Sequence, residues 1–209
     1  MIGVDGFGYV ELVSYDASDQ HVIENARICY NSESEGEEHD KRLIRHLIRR
    51  CHMTPFESIV FRFKVKAPLF VARQWFRHRM SSFNELSLRY CAAEEEFYIP
   101  RGMSKEDEQL YAESMRVMFD VYRRLDLPKE KARCVLPLAT YTKFYWTVNG
   151  SSLINFLNLR TDKSAQYEIR KYAWDVYSKV AGICPMVFGA WAQESDVLRF
   201  KESDQEAIM

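Results

Sequence analysis

Glycine is scarce in this chain, 8 among 209 residues, and neither GxGxxG nor a P-loop pattern occurs. Phosphate-cradling loops of those kinds need glycine where the backbone approaches the ligand, so both routes to nucleotide binding are excluded. HExxH is also missing. The five cysteines, Cys29, Cys51, Cys91, Cys134 and Cys184, contain no CxxC pair and leave one over. That excludes a disulfide framework and a zinc site, and no metal is expected. The cysteines read as small buried apolar residues in a reducing cytosol. No uncharged run reaches the roughly 20 residues that span a bilayer, so no membrane partner is expected. The first residues, MIGVDGFGYVELVSYD, lack a basic stretch followed by an apolar run, so a secretory leader is not expected and the location reads as cytoplasmic. Charge of one sign is missing too. With 29 Lys+Arg against 30 Asp+Glu, the net charge of −1 excludes a general polyanion binder.

What the chain does have is 47% hydrophobic and 14% aromatic residues, enough for a large core and incompatible with disorder. The length fits a single domain over 1–209, with a short tail from about 197 that carries no pattern. Tyr9–Ser14 reads as a strand, and Ser18 caps a helix to about Cys29. Asn31–Asp40 is acidic and reads as a loop. Leu43, Ile44, Leu47, Ile48 and Cys51 mark the next helix, broken at Thr54-Pro55. Ile59, Phe61, Phe63 and Val65 alternate with polar neighbours as in a strand. Pro68 opens an apolar helix that includes Trp75 and Phe76. Phe97–Ile99 reads as a short strand. Ser104 with Asp107 caps a long helix to about Leu125, with Leu110, Met115, Met118, Phe119 and Tyr122 inward. Pro128 opens a helix that Pro137 stops. Phe144–Val148 is a strand turned by Asn149-Gly150, Ser151 or Ser152 caps the helix after it, and a last helix runs from about Ser164 to Ile183. These elements predict an α+β fold with a mixed sheet flanked by several long helices.

The near-zero charge is an average. Between Ser58 and Ala93 stand seven Arg/Lys and His78 against one acid, Glu85, an excess that suits a bound anion. Arg77-His78-Arg79 follows the apolar helix, and guanidinium forks match phosphate oxygens in pairs. Gln74 lies three residues before Arg77, on the same face if the helix continues. The plainer reading, a solvated basic helix end with one salt bridge, weighs about as much. Ser87 as a nucleophile with His78 as its base has little support, because no GxSxG elbow occurs. A second polar cluster runs from Asn149 to Arg160. Asn155 and Arg160 lie roughly 140° apart around a helix, so they need not share a target.

Arg77-His78-Arg79, seven residues, then Ser87 resembles the RHR-x7-S signature of the flavin-dependent thymidylate synthases. HMTPFESIVFRFKVKAP, FVARQWFRHR, FYIP, VLPL and FYWTVN…LINFLNLR are similar to family segments in family order, covering about Ala26 to Pro185. The resemblance implies methylation of dUMP to dTMP. FAD would be the cofactor, with NADPH as reductant and 5,10-methylenetetrahydrofolate as carbon donor. It implies dUMP contacts at Gln74, Arg77, Glu85, Ser87, Leu88, Arg89, Lys143 and Arg160, and FAD contacts at Thr54, Arg77, His78, Arg79, Glu85, Asn149 and Asn155. Arg160 would polarise the pyrimidine as the catalytic residue, and His52 would lie at the folate or flavin edge. No catalytic cysteine is required. A homotetramer with shared active sites is also implied, with Arg160 and the Arg77–Arg89 segment on one nucleotide coming from different chains.

Four residues depart from the family pattern. Lys143 and Ser151 stand at frequent arginine positions, Ser164 at a frequent histidine position, and Leu88 replaces a common glycine. Weaker FAD retention is expected from the two serines. Two rivals belong to other classes. One is a non-catalytic nucleotide-binding relative with a decayed flavin site, and the other is an RNA- or ssDNA-binding module built on Arg77–Tyr90. The local, rather than extended, basic excess favours a mononucleotide, and no nucleic-acid partner is expected.

Overall fold

The computed structural model describes residues 8–195, so the expected tail from about 197 lies outside the described residues. Its centre is a four-stranded sheet in the order β1-β2-β4-β3, with β1 Tyr9–Asp16, β2 Val60–Pro68, β3 Ser82–Glu85 and β4 Tyr141–Asn149. Every neighbouring pair is antiparallel, not mixed as the sequence predicts. The excursion between β1 and β2 returns to the end of the sheet it left, Asp16 facing Val60, and this makes the strands run in opposite directions. The fold is α+β, as expected.

Alternation in β2 buries Phe61, Phe63 and Val65 completely, and in β4 it buries Phe144, Trp146 and Val148. Full burial of such side chains stabilises by roughly 1.5–3 kcal/mol each. Trp75 completes this layer from α3, Leu69–Trp75. Its ring centroid lies 4.8 Å from Phe156, 5.3 Å from Trp146, 5.4 Å from Phe144 and 6.0 Å from Tyr172. The end of α3, and the arginines beyond it, therefore emerge from the best-packed part of the molecule. Phe156 belongs to α6, Gly150–Arg160, and Tyr172 to α7, Tyr167–Val180.

Ser18 caps α1, Asp19–Arg27, as expected, accepting the His21 N–H at 3.1 Å. The acidic loop is shorter than predicted, because α2 runs Glu37–Arg49 and takes Glu37, Glu38 and Asp40 into its first turn. Acidic side chains are favoured there by the helix dipole. Asp40 is buried and accepts from Arg27 at 2.9 Å. Cys51 lies beyond the helix in a left-handed conformation, φ 55°. A 3₁₀ turn, Thr54–Ser58, follows it.

Ser104 and Asp107 cap α4, Lys105–Arg124, as predicted. Leu110 and Met118 are nevertheless exposed, while Phe119 and Tyr122 are buried. Leu110 stands nine residues from Phe119, roughly 180° around the helix, and Met118 roughly 100°. Phe97 makes only a single bridge, to Thr140. The helix opened by Pro128 is short, α5 Lys129–Ala132, followed by a 3₁₀ turn, Arg133–Val135.

Three elements differ from the sequence reading near the chain's second half. Asn149-Gly150 is no turn, because Asn149 is the cap of α6, its side-chain oxygen accepting the Ser152 N–H at 2.9 Å. The last predicted helix ends at Val180, and Pro185 opens a further one, α8 Pro185–Glu194. That helix is apolar on most sides, so it shows no amphipathic period. Its cap is distant in sequence: Asp19 accepts the N–H groups of Met186 and Val187, each at 3.0 Å. Four of the five cysteines are exposed, and only Cys184 is buried, which corrects the expectation that all are interior. Among the described residues no helix is long and apolar enough to cross a membrane, and no group of three metal-ligating side chains occurs.

Candidate active site

The Arg77–Ser81 segment and α6 line a half-open cavity of about 710 Å³. Its walls are Arg77, His78, Arg79, Met80, Ser81, Val148, Ser151, Ser152, Asn155, Leu159 and Arg160. Three guanidinium groups and no carboxylate line it, a composition that attracts and orients anions. The volume is within the range of cofactor sites.

His78 is the most firmly held of these residues. Its backbone N–H donates to Trp75 O at 3.0 Å, and its carbonyl accepts from Ser81 Oγ at 2.7 Å. Ser81 Oγ in turn accepts from the Trp146 indole N–H at 2.9 Å, tying the segment to the sheet. The imidazole packs edge-on against Phe156, and its Nε2 accepts from Arg160 Nε at 3.0 Å. Burial, reinforced by the Arg160 charge, lowers the His78 pKa to about 4. Arg160 also donates through Nη2 to Gln74 O, in the last turn of α3, at 3.1 Å. It thereby satisfies one of the carbonyls a helix end leaves open, and its cation sits at the negative pole. Burial and the neighbouring Arg77 lower the Arg160 pKa.

Most of the predicted site residues fall into two groups. Arg77, His78, Arg79, Asn155 and Arg160 line this one cavity. Asn155 and Arg160 thus line one cavity, because the long arginine side chain covers the angle between them. Glu85, Ser87, Leu88, Arg89 and Lys143 do not line it. β3 carries the chain from Ser81 to Glu85, roughly 14 Å at about 3.4 Å per residue. There Glu85 accepts from Thr142 at 2.8 Å, and the Leu86 N–H donates to Lys143 O at 2.8 Å. Ser87 O accepts from the N–H groups of both Tyr90 and Cys91, closing a tight turn. Arg89 pairs with Glu130 at 3.6 Å and Lys143 with Glu94 at 3.0 Å. Glu94 raises the Lys143 pKa.

Gln74 lies at the end of α3, its amide donating to Gln166 at 2.6 Å. The helix stops at Trp75, so Arg77 reaches the cavity from the following turn and not from a shared helix face. Thr54 and His52 are exposed and outside the cavity; the His52 ring is edge-on to His46 at 6.5 Å. Asn149 has its oxygen committed to the α6 cap. Ser151 lines the cavity, whereas Ser164 closes a local turn on Asp162. Ser152, Leu159, Met80, Ser81 and Val148 were not singled out from sequence. The stripe Ser151, Asn155, Leu159, at helical spacing, was the available signal for part of this wall.

Residues 11–186 match the family described as thymidylate synthase complementing protein. The flavin-dependent thymidylate synthase of Thermotoga neapolitana is 45% identical over 206 residues, covering 92% of this chain and 95% of its own. That of Thermus thermophilus is 39% identical, covering 89% and 76% respectively. Among solved structures, the UMP/dUMP methylase PolB from Streptomyces cacaoi, bound with 5-Br dUMP, has 33% identity and a TM-score of 0.81 over 89% of this chain and 95% of that one. With the RHR-x7-S residues and the α6 arginine gathered on one fold, the chain belongs to the flavin-dependent thymidylate synthase family.

Proposed function

We propose that this protein methylates dUMP to dTMP, with 5,10-methylenetetrahydrofolate as carbon donor, FAD as cofactor and NADPH as reductant. The observation that carries the reading is the cavity with three arginines and no acid, built by the signature segment and α6. Its charge and volume fit a diphosphate-bearing cofactor held by Arg77, Arg79 and Asn155, with Ser151 and the His78 ring beside them. Thr54 and Asn149 are the further FAD contacts in this reading, although neither lines the cavity. FAD, when bound, supplies the hydride that turns the transferred carbon into a methyl group.

Gln74, Arg77 and Arg160 hold the base side of dUMP in this reading, and Arg160 stabilises negative charge developing on the pyrimidine. Glu85, Ser87, Leu88 and Arg89 grip the phosphate side. Lys143 reaches the nucleotide only by exchanging Glu94 for it. His52 serves the folate or flavin edge.

β3 sets the two groups about 14 Å apart along extended backbone, which favours two chains meeting at one dUMP. The reading therefore includes a homotetramer in which a second chain supplies Glu85–Arg89. The division differs from the sequence expectation: Arg77 and His78 go with Arg160, and only the segment after β3 is exchanged.

Anaerobic conversion of dUMP to dTMP with NADPH, FAD and methylenetetrahydrofolate tests the activity. A yellow protein without turnover would identify the decayed relative, and a colourless protein that binds single strands would identify the nucleic-acid module. Mixing Arg160→Ala with Arg89→Ala chains tests the sharing. Hybrids should regain activity that neither parent has, and no recovery after subunit exchange counts against shared sites.

A further inference from the structure

The geometry assigns His78 a single tautomer, protonated on Nδ1, with Arg160 as the positioning residue that enforces it, so that the cavity presents a neutral N–H donor among its guanidinium groups. This stands on the geometry and holds whichever anionic ligand fills the cavity.

A guanidinium has five N–H donors and no acceptor. The contact from Arg160 Nε to His78 Nε2, at 3.0 Å, is a hydrogen bond only if Nε2 carries a lone pair. The neutral ring must then hold its proton on Nδ1. An imidazolium would set two N–H groups against each other at that distance and add a fourth charge beside Arg77, Arg79 and Arg160. Trp75 O and Ser81 Oγ hold the backbone on both sides, and Phe156 packs edge-on, with ring centroids 5.0 Å apart. Arg160 is itself fixed by its second bond, to Gln74 O. The depressed His78 pKa, near 4, agrees with a ring that stays neutral.

The charged groups that share the cavity with this ring are Arg77 and Arg79 from its own segment and Arg160 from α6, with no carboxylate among the lining residues. Nδ1 has no hydrogen-bond partner among the described residues, and His78 lines the cavity. The ring therefore offers one donor to a ligand acceptor, a carbonyl or phosphoryl oxygen. The signature then contributes two cations, not three, together with a donor that does not titrate between about pH 5 and 8.

Nitrogen NMR on the full-length protein carrying labelled histidine tests this, the His78 signals being those lost in His78→Gln. The expected pattern is a protonated, pyrrole-like Nδ1 and a bare, pyridine-like Nε2, unchanged across about pH 5 to 8. In Arg160→Met, which keeps the stem and removes the donors, an Nε2–H population should emerge. The titration midpoint should also move from about 4 towards the ordinary histidine value. Arg160→Leu, which also removes every donor, provides a second reading of the same change if the methionine variant does not fold. A bare Nδ1 in the wild type, titration within that pH range, or signals unaltered in a folded Arg160 variant would overturn the assignment.

Discussion

Gly150 donates its N–H to Ile59 O at 2.8 Å, and no side chain fits between these two residues. A Cβ on Gly150 would lie 2.5 Å from Ile59 Cγ1 and 2.6 Å from the backbone oxygen of Phe56. This contact seats the start of α6 on the turn that carries Thr54, so the cavity wall depends on it. Gly150→Ala should destabilise the protein by about 1–3 kcal/mol, as overpacking does, measured by urea unfolding. Trimming Ile59 as well, Ile59→Ala, should fail to restore stability, because the Phe56 oxygen belongs to the backbone. An unchanged urea midpoint in Gly150→Ala would show that the turn moves freely.

The pH dependence of stability should have two separable components. Arg49 and Arg45 hold Glu194 at a pKa of about 2, below its ordinary 4.5. A depressed carboxylate contributes stability above the unfolded value and loses it as pH falls from there towards about 2. His78 is depressed too, from 6.5 to about 4. The unfolded chain takes up this proton first, so stability falls as pH drops between those values. Unfolding midpoints measured across pH should show both slopes. Glu194→Gln should flatten only the lower one, and His78→Gln only the upper one.

Arg89 and Glu130 form an exposed pair, each side chain about half accessible, at 3.6 Å. If the Ser87–Arg89 turn receives phosphate, the Glu130 carboxylate competes for the same guanidinium. Glu130→Gln should tighten dUMP binding about 2–5-fold at low salt, the scale of an exposed ion pair. The gain should shrink as salt screens the pair. Calorimetric titration at two salt concentrations checks this, and weaker binding in the variant would assign Glu130 to loop support instead.

Long periodic elements are legible in the sequence: β2, β4, α4 with its cap, and the cationic segment beyond α3. What escaped had no local signal. β3 is a four-residue polar edge strand that exists because β4 pairs with it. α8 is apolar most of the way round and capped by Asp19, 167 residues away in sequence. The site shows the same limit. Residue types singled out Arg77–Arg79 as anion-suited, whereas Arg160 gained a role only through the family resemblance, and helical angles separated Asn155 from Arg160 because they ignore the reach of an arginine. The grouping of Arg77 with Arg160, apart from Ser87–Arg89, follows from where β3 runs, and that is a tertiary fact.

Ser151 and Ser164 stand where cationic residues are frequent in the family, and the structure separates their consequences. Ser151 lines the cavity one helical turn before Asn155, while Ser164 donates to Asp162 in a turn that does not reach the cavity. Only the first position can add a charge to the cavity wall. Ser151→Arg should strengthen FAD retention by about 1.5–3 kcal/mol, the scale of a hydrogen bond to a charged group. Ser164→His should leave retention near the wild type. Flavin absorbance remaining after extensive dialysis of the three proteins measures the difference. Full retention by the wild type, or equal gains from both substitutions, would mean that the cavity wall at Ser151 does not face the cofactor's phosphates.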